Sequence, residues 1–202
     1  MKHEDEGRNG ETIMDPKQLI DEIIANPIIA AVRDSKHLDL ALASPARIVF
    51  LLSGSINTIG EPCRRLLAAG RRCFLHVDLI DGLRPDQQGL RFLAEQHQPT
   101  GVITTKPACV KWAQNLGLMA VQRIFLLDST ALQDGARHIQ ACRPDLVEVL
   151  PGVADKAIQM AVRDFGCPLI AGGLISTRED VCAALAAGAL GVSASKPELW
   201  QL

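Results

Sequence analysis

Residues 74–83 read FLHVDLIDGL and set a histidine, His76, and a carboxylate, Asp78, two positions apart inside an otherwise apolar run. In an extended strand side chains alternate between faces, so Phe74, His76 and Asp78 fall on one side. Burying two polar groups there is costly unless each finds a partner or serves a site. The same interruption recurs downstream, where Arg123 breaks MAVQRIFL (119–126) and Glu148 breaks LVEVLP (146–151). Together with Lys106, these residues support three chemistries. They could run general acid–base catalysis on a phosphorylated substrate, or hold a divalent metal through nitrogen and oxygen ligands. They could equally read the hydroxyls of a small polyol phosphate without any reaction. None of their spacings is that of a metal motif, so neither a metal nor another cofactor is expected. The competing account of Arg123 is structural, an ion pair with Glu148 from the next strand.

The elements that must position these groups are short and regular. After PKQLIDEIIA (16–25), whose Leu19, Ile20, Ile23 and Ile24 share a helical stripe, eight apolar runs alternate with helical patterns. The runs are PIIAAV (27–32), RIVFLL (47–52), CFLHVDL (73–79), GVITT (101–105), MAVQRIFL, LVEVLP, CPLIAG (167–172) and LGVSAS (190–195). Near-continuous apolar strands indicate a parallel sheet covered on both faces. Pro62 and Pro107 sit near helix starts, Ser176 with Glu179 fits a capping box, and Gly70, Gly117, Gly166 and Gly188 follow helical patterns. Eight βα units in series predict an α/β fold of the (β/α)8 barrel type. It forms a single domain over residues 16–202, with an N-terminal helix and a flexible tail at 1–15.

In such barrels function gathers at the C-terminal ends of the strands. Those ends read Arg33-Asp34, Ser53-Gly54-Ser55, His76 with Asp78, Thr104-Thr105-Lys106, Gln122-Arg123, Glu148 with Pro151-Gly152, Gly172-Gly173, and Ser193 with Ser195. Polar residues at nearly every strand end exceed what a structural barrel needs. Gln122 and Arg123 point to opposite faces, so only one can enter the mouth unless the strand bulges. Gly172, Gly173, Ser193 and Ser195 lie in the last two loops, where backbone N–H groups and a helix start can cradle a phosphate.

Composition removes other classes. A net charge of −2 gives no global attraction to nucleic acid or to an anionic membrane. The six cysteines show no paired or finger-like spacing, as expected of buried thiols in a reducing cytosol. MKHEDEGRNGET is too polar for a signal peptide, and no apolar stretch is long enough to span a bilayer. A cytoplasmic protein with no membrane contact is expected, and association into a homo-oligomer stays open. His37, His97 and His138 fall in helical surface patterns, and Arg64, Arg65, Arg71 and Arg72 read as a solvated helix end opposite the mouth. Aromatic stacking surfaces for RNA are lacking, since tyrosine is absent.

HVDLIDGL (76–83), ITTKP (103–107), QRIFLLDS (122–129), EVLPG (148–152), AGGLIS (171–176), AGALGVSAS (187–195) and ELW (198–200), in this order, resemble the glycerol-3-phosphate-responsive antiterminator family. The resemblance covers roughly residues 26–202. It implies a (β/α)8 barrel that binds glycerol 3-phosphate and acts on the leader of a nascent messenger RNA to prevent transcription termination. It places Gly172, Gly173, Ser193 and Ser195 at the phosphate end, and His76, Asp78, Lys106, Arg123 and Glu148 at family-motif positions around the pocket. With Arg33 and Gly152 from the strand ends, these form the expected ligand set, with no catalytic residue assigned and the RNA-binding residues unknown. Two departures stand out: SGS (53–55), where an acidic residue near Ser55 is expected, and SAS (193–195) in place of the more usual STS. The alternative is a barrel enzyme acting on a small phosphorylated metabolite through His76, Asp78 or Glu148. The RNA partner rests on resemblance alone.

Overall fold

The computed structural model describes residues 15–202. Eight parallel strands close on themselves in sequence order: β1 Ile28–Val32, β2 Ile48–Leu51, β3 Arg72–His76, β4 Gly101–Thr104, β5 Met119–Phe125, β6 Leu146–Leu150, β7 Leu169–Gly172 and β8 Gly191–Ala194. Helix α1, Pro16–Ala25, precedes them. The connecting helices are α2 Leu38–Ala43, α3 Gly60–Ala68, α4 Gln87–Gln96, α5 Pro107–Asn115, α6 Ser129–Cys142, α7 Asp155–Phe165 and α8 Arg178–Ala186. The barrel expected from the alternating pattern is the fold observed. The tail expected over 1–15 lies outside the described residues apart from Asp15, whose carboxylate caps α1.

Alternation along the strands divides the core in two. Ile29, Ala31, Ile48, Phe50, Phe74, Ile103, Met119, Val121, Leu146 and Ile170 fill the barrel interior, and Leu19 and Ile23 of α1 join them from below. Helix α1 is therefore a plug for the barrel floor. Its burial narrows the apolar stripe read from sequence, because Ile24 is exposed while Leu19 and Ile23 are fully buried. The other strand face packs against the outer helices through residues such as Val49, Leu75, Val102, Val147 and Val192. Gly101 is required where Phe74 crosses the interior: a Cβ there would stand 2.5 Å from the Phe74 ring.

The eighth unit departs from the pattern. After β8 comes a 3-10 turn, Pro197–Gln201, rather than an eighth outer helix. Its Trp200 is fully buried, and its indole N–H donates to Ala194 O at 2.7 Å. One large ring thus covers the β8–β1 seam. Trp200→Ala is expected to lower the unfolding free energy by about 3–5 kcal/mol, the usual cost of deleting a buried indole. Denaturant unfolding would measure it, and a loss below about 1 kcal/mol would mean that the seam needs no such cover.

Of the arginines expected to be solvated, Arg64 and Arg65 are exposed, while Arg71 and Arg72 are stitched down. Arg71 donates to the carbonyls of Leu42, Ser44 and Ala46 at 3.1, 2.8 and 3.1 Å, satisfying the end of α2. Arg72 holds Glu22 of the plug helix through two nitrogens at 3.0 and 2.6 Å, and Arg65 pairs with Asp39. His97, expected at the surface, is half-buried edge-on against Phe92 and beside Gly60, and its Nε2 has no partner among the described residues. His138 is exposed, as expected. Four of the cysteines are buried, Cys167 is half-buried and Cys182 is exposed; all six are free thiols. No described helix is long and apolar enough to cross a membrane.

Candidate functional site

The interior residues Phe74, Val121, Leu146 and Ile170 each stand two positions before His76, Arg123, Glu148 and Gly172. Alternation therefore aims these four into the barrel just above the apolar core. Arg33 lies one residue past the end of β1 and is exposed at the strand end. Register does the rest: Arg123 lies opposite Glu148 across β5 and β6, and Gly172 opposite Ser193 across β7 and β8.

These residues form one buried polar chain. Arg123 Nε donates to Glu148 Oε2 at 2.6 Å, and Ser193 Oγ donates to Glu148 Oε1 at 2.5 Å. Both carboxylate oxygens are thus engaged, which a charge with only 1 % residual exposure requires. Gly172 is the counterpart in shape. A Cβ at that position would lie 2.5 Å from both Glu148 Oε1 and Ser193 Oγ, so only glycine lets the chain cross β7. The structural pairing weighed for Arg123 is therefore present, and it does not remove the residue from the mouth, since Nε alone is used. Gln122 turns outward and donates to Thr105 O at 2.9 Å.

His76 and Asp78, read as neighbours on one strand face, part company. Strand β3 ends at His76, and a 3-10 turn over Val77–Leu79 carries Asp78 toward β4. There its carboxylate accepts from Thr105 N at 2.7 Å and from the hydroxyls of Thr104 and Thr105 at 3.1 Å each. Asp78 fastens two loops together, with the exposed Lys106 Nζ 3.9 Å away. The His76 imidazole is buried, and its Nδ1 is without a hydrogen-bond partner among the described residues, 3.9 Å from Asp78 Oδ2. Burial first, then the Arg123 guanidinium, pushes its pKa down to about 4 against the pull of Asp78, with Arg33 adding to the depression. The ring is neutral near pH 7, so His76 and Asp78 are not an ion pair.

Around the last two loops the backbone turns sharply at Gly173 and Leu174, at φ +78° and +63°. The capping box of α8 is one residue later than expected: Thr177 and Asp180 form it, not Ser176 and Glu179. Asp180 also accepts from the N–H groups of Ser176 and Thr177 at 2.8 and 2.9 Å, so these donors are committed. Gly152, after a cis Leu150–Pro151 bond, donates to Gly172 O at 2.6 Å and ties the loop after β6 to the loop after β7. Ser195 is exposed above β8. Lys196, which sequence reasoning passed over, reaches across from the β8 loop to donate to Ser176 O at 3.2 Å. Its position directly after the expected serine was the available signal. Phe125, Leu127, Val153 and Leu174 leave an apolar rim exposed on this side of the mouth.

The mouth therefore carries four cations, Arg33, Lys106, Arg123 and Lys196, and the acceptor oxygens of its Asp78 and Glu148 carboxylates are already occupied. That balance suits a small anion. Among the described residues no three His, Cys, Asp or Glu side chains converge as a metal site would need.

Known proteins match this chain along most of its length. The family described as glycerol-3-phosphate responsive antiterminator matches residues 28–200. A glycerol uptake operon antiterminator regulatory protein of Listeria monocytogenes superimposes with a TM-score of 0.83 at 32% identity, covering 87% of this chain and 95% of that one. A glycerol uptake operon antiterminator-related protein of Thermotoga maritima gives 0.77 at 31% identity, covering 87% and 98%. An uncharacterised Escherichia coli K12 protein, YgcP, is 33% identical over 177 residues, 88% of this chain and 93% of its own length. With the family matched over residues 28–200 and these relatives 31–33% identical along most of their lengths, the chain belongs to the glycerol-3-phosphate responsive antiterminator family.

Proposed function

We propose that the barrel mouth is a sensor site for glycerol 3-phosphate, and that the ligand-bound protein binds the leader mRNA of glycerol-utilisation operons in the cytoplasm. The phosphate is held between the loops after β7 and β8 by Gly172, Gly173 and Ser195, with Lys196 as an added cation. The glycerol hydroxyls face Ser193, His76 and the free guanidinium nitrogens of Arg123, while Gly152, Glu148 and Asp78 hold the walls. Arg33 and Lys106 supply charge from the opposite rim.

The observation that carries this reading is the Arg123–Glu148–Ser193 chain. Glu148 has both oxygens bonded, to a cation and to a hydroxyl, and so is poorly disposed to exchange protons with a substrate. A carboxylate so engaged is suited to shaping a pocket. His76 is the one neutral base left at the mouth, and it is what the enzyme alternative would use.

A single titration tests the reading. Leader transcript binding, followed by filter retention or fluorescence anisotropy, should tighten when glycerol 3-phosphate is added and weaken as salt rises. By linkage, RNA must tighten ligand binding by the same factor. RNA binding indifferent to the ligand would refute the sensor, and turnover of a triose or polyol phosphate that His76→Ala abolishes would establish the enzyme.

A further inference from the structure

Outside the mouth, one cavity of about 450 Å3 opens over the ends of β1 and β2. Its floor is apolar, built from Val32, Leu38, Leu51, Ile59 and Pro62, and its rim is polar, with Arg33, Asp34, Ser35, Ser53 and Thr58. Its size falls in the range of roughly 300–1,000 Å3 usual for small-molecule sites. The residues of its floor belong to the layer between strands and helices, so it is separate from the barrel interior.

Two features give this cavity a direction. Arg33 lines it, is exposed, and makes no ion pair or hydrogen bond among the described residues. Arg33 directly follows β1, so it stands at the strand end between cavity and mouth. Second, the wall that carries Ser53, Gly54 and Thr58 is joined to the loop after β3. Asp81 N donates to Gly54 O and Ile56 N donates to Asp81 O, both at 2.9 Å. These two bonds tie the 76–81 segment at the mouth to the cavity wall.

We infer that this cavity receives a nucleobase, stacked between the aliphatic floor and the Arg33 guanidinium, with its edge read by the rim hydroxyls and Asp34. Unpaired RNA bases are recognised in this way, splayed from the strand, stacked on planar groups and hydrogen-bonded at their edges. The inference rests on the sensor reading above and adds to it a place where RNA meets the protein. It also accounts for RNA contact in a chain of net charge −2, since a base pocket needs no broad basic surface. The occupant is a base of the leader transcript, and a free mononucleotide presents the same chemistry.

Ser35 and Ser53 are exposed, and their side chains make no hydrogen bond among the described residues. Ser35→Trp and Ser53→Trp therefore obstruct the cavity at positions outside the expected ligand set. Each variant, checked for unchanged melting and unchanged glycerol 3-phosphate binding by calorimetry, is titrated with leader transcript at saturating ligand. In parallel, the protein is titrated with the four nucleoside 5′-monophosphates. Transcript affinity should fall at least tenfold in both variants, and mononucleotide binding, weak in the native protein, should disappear. Native transcript binding that responds to ligand, with variants binding within twofold of it, overturns this inference and leaves the sensor reading standing. Mononucleotide binding lost in the variants while transcript affinity holds overturns the RNA assignment in favour of a free nucleotide. A native protein that binds neither transcript nor mononucleotide overturns both.

Discussion

Arg123→Ala is expected to cost about 3–5 kcal/mol of folding free energy, because it leaves the Glu148 carboxylate buried without its cation. The pair is almost wholly desolvated, with side chains 6% and 1% exposed and 2.6 Å between Nε and Oε2. Ser193 still holds only the other oxygen. Glu148→Gln should destabilise in the same direction, stranding the guanidinium in place of the carboxylate. The double change Arg123→Met with Glu148→Leu should be far milder than either single change, since an apolar pair of similar volume leaves no uncompensated charge. Ligand binding separates the two roles of Arg123. In the stable double variant, glycerol 3-phosphate affinity should drop roughly 10- to 100-fold, the worth of about 1.5–3 kcal/mol for a hydrogen bond to a charged group. Denaturant unfolding and calorimetry together measure both effects. Single variants within about 1 kcal/mol of the native protein would show that the buried pair carries no such weight, and unchanged ligand affinity in the double variant would remove Arg123 from the site.

The sequence disclosed what periodicity controls. Strand order and closure follow from eight regular βα units, and the structure keeps both; the choice between Gln122 and Arg123, open in the sequence, falls to Arg123, since Gln122 turns outward to Thr105 O. What it hid depends on where a strand stops and on contacts far apart in the chain. Asp78 was read as a face-mate of His76 because alternation was extended two residues past the end of β3; the chain instead turns at Val77–Leu79. The plug role of α1 was invisible, since an amphipathic stripe says that a helix is buried on one side and not what it is buried against. The link from Arg72 to Glu22 spans fifty residues and has no local signature. Capping patterns are short-range and were legible in kind, yet two adjacent hydroxyls, Ser176 and Thr177, made the register of α8 ambiguous. Thr177 wins because Asp180 can then accept from both backbone N–H groups ahead of the helix. That choice in turn leaves fewer free donors for a phosphate at this loop, which makes the charge of Lys196 more important to the proposed site than its sequence neighbours.

The pH dependence of stability should report directly on His76. Its folded pKa is about 4, against an ordinary value of 6.5. Above pH 6.5 the ring is neutral in both folded and unfolded chains and adds nothing that varies with pH. As pH falls from 6.5 toward 4, the unfolded chain binds a proton here that the folded protein refuses, so stability declines with falling pH. Below pH 4 the loss levels off at about 3–4 kcal/mol, the free-energy equivalent of a pKa moved from 6.5 to about 4. The groups facing the ring set this sign: Arg123 and Arg33 oppose the proton, Asp78 favours it, and burial outweighs them all. His76→Gln keeps a polar side chain and removes the titration. Unfolding free energies measured from pH 7 to pH 4 should therefore fall about 3 kcal/mol further in the native protein than in this variant, all other titrating groups being common to both. Parallel curves would mean that the imidazole is hydrated in the folded state. A native protein that gains stability relative to the variant on acidification would mean that Asp78 turns back from Thr104 and Thr105 to pair with His76.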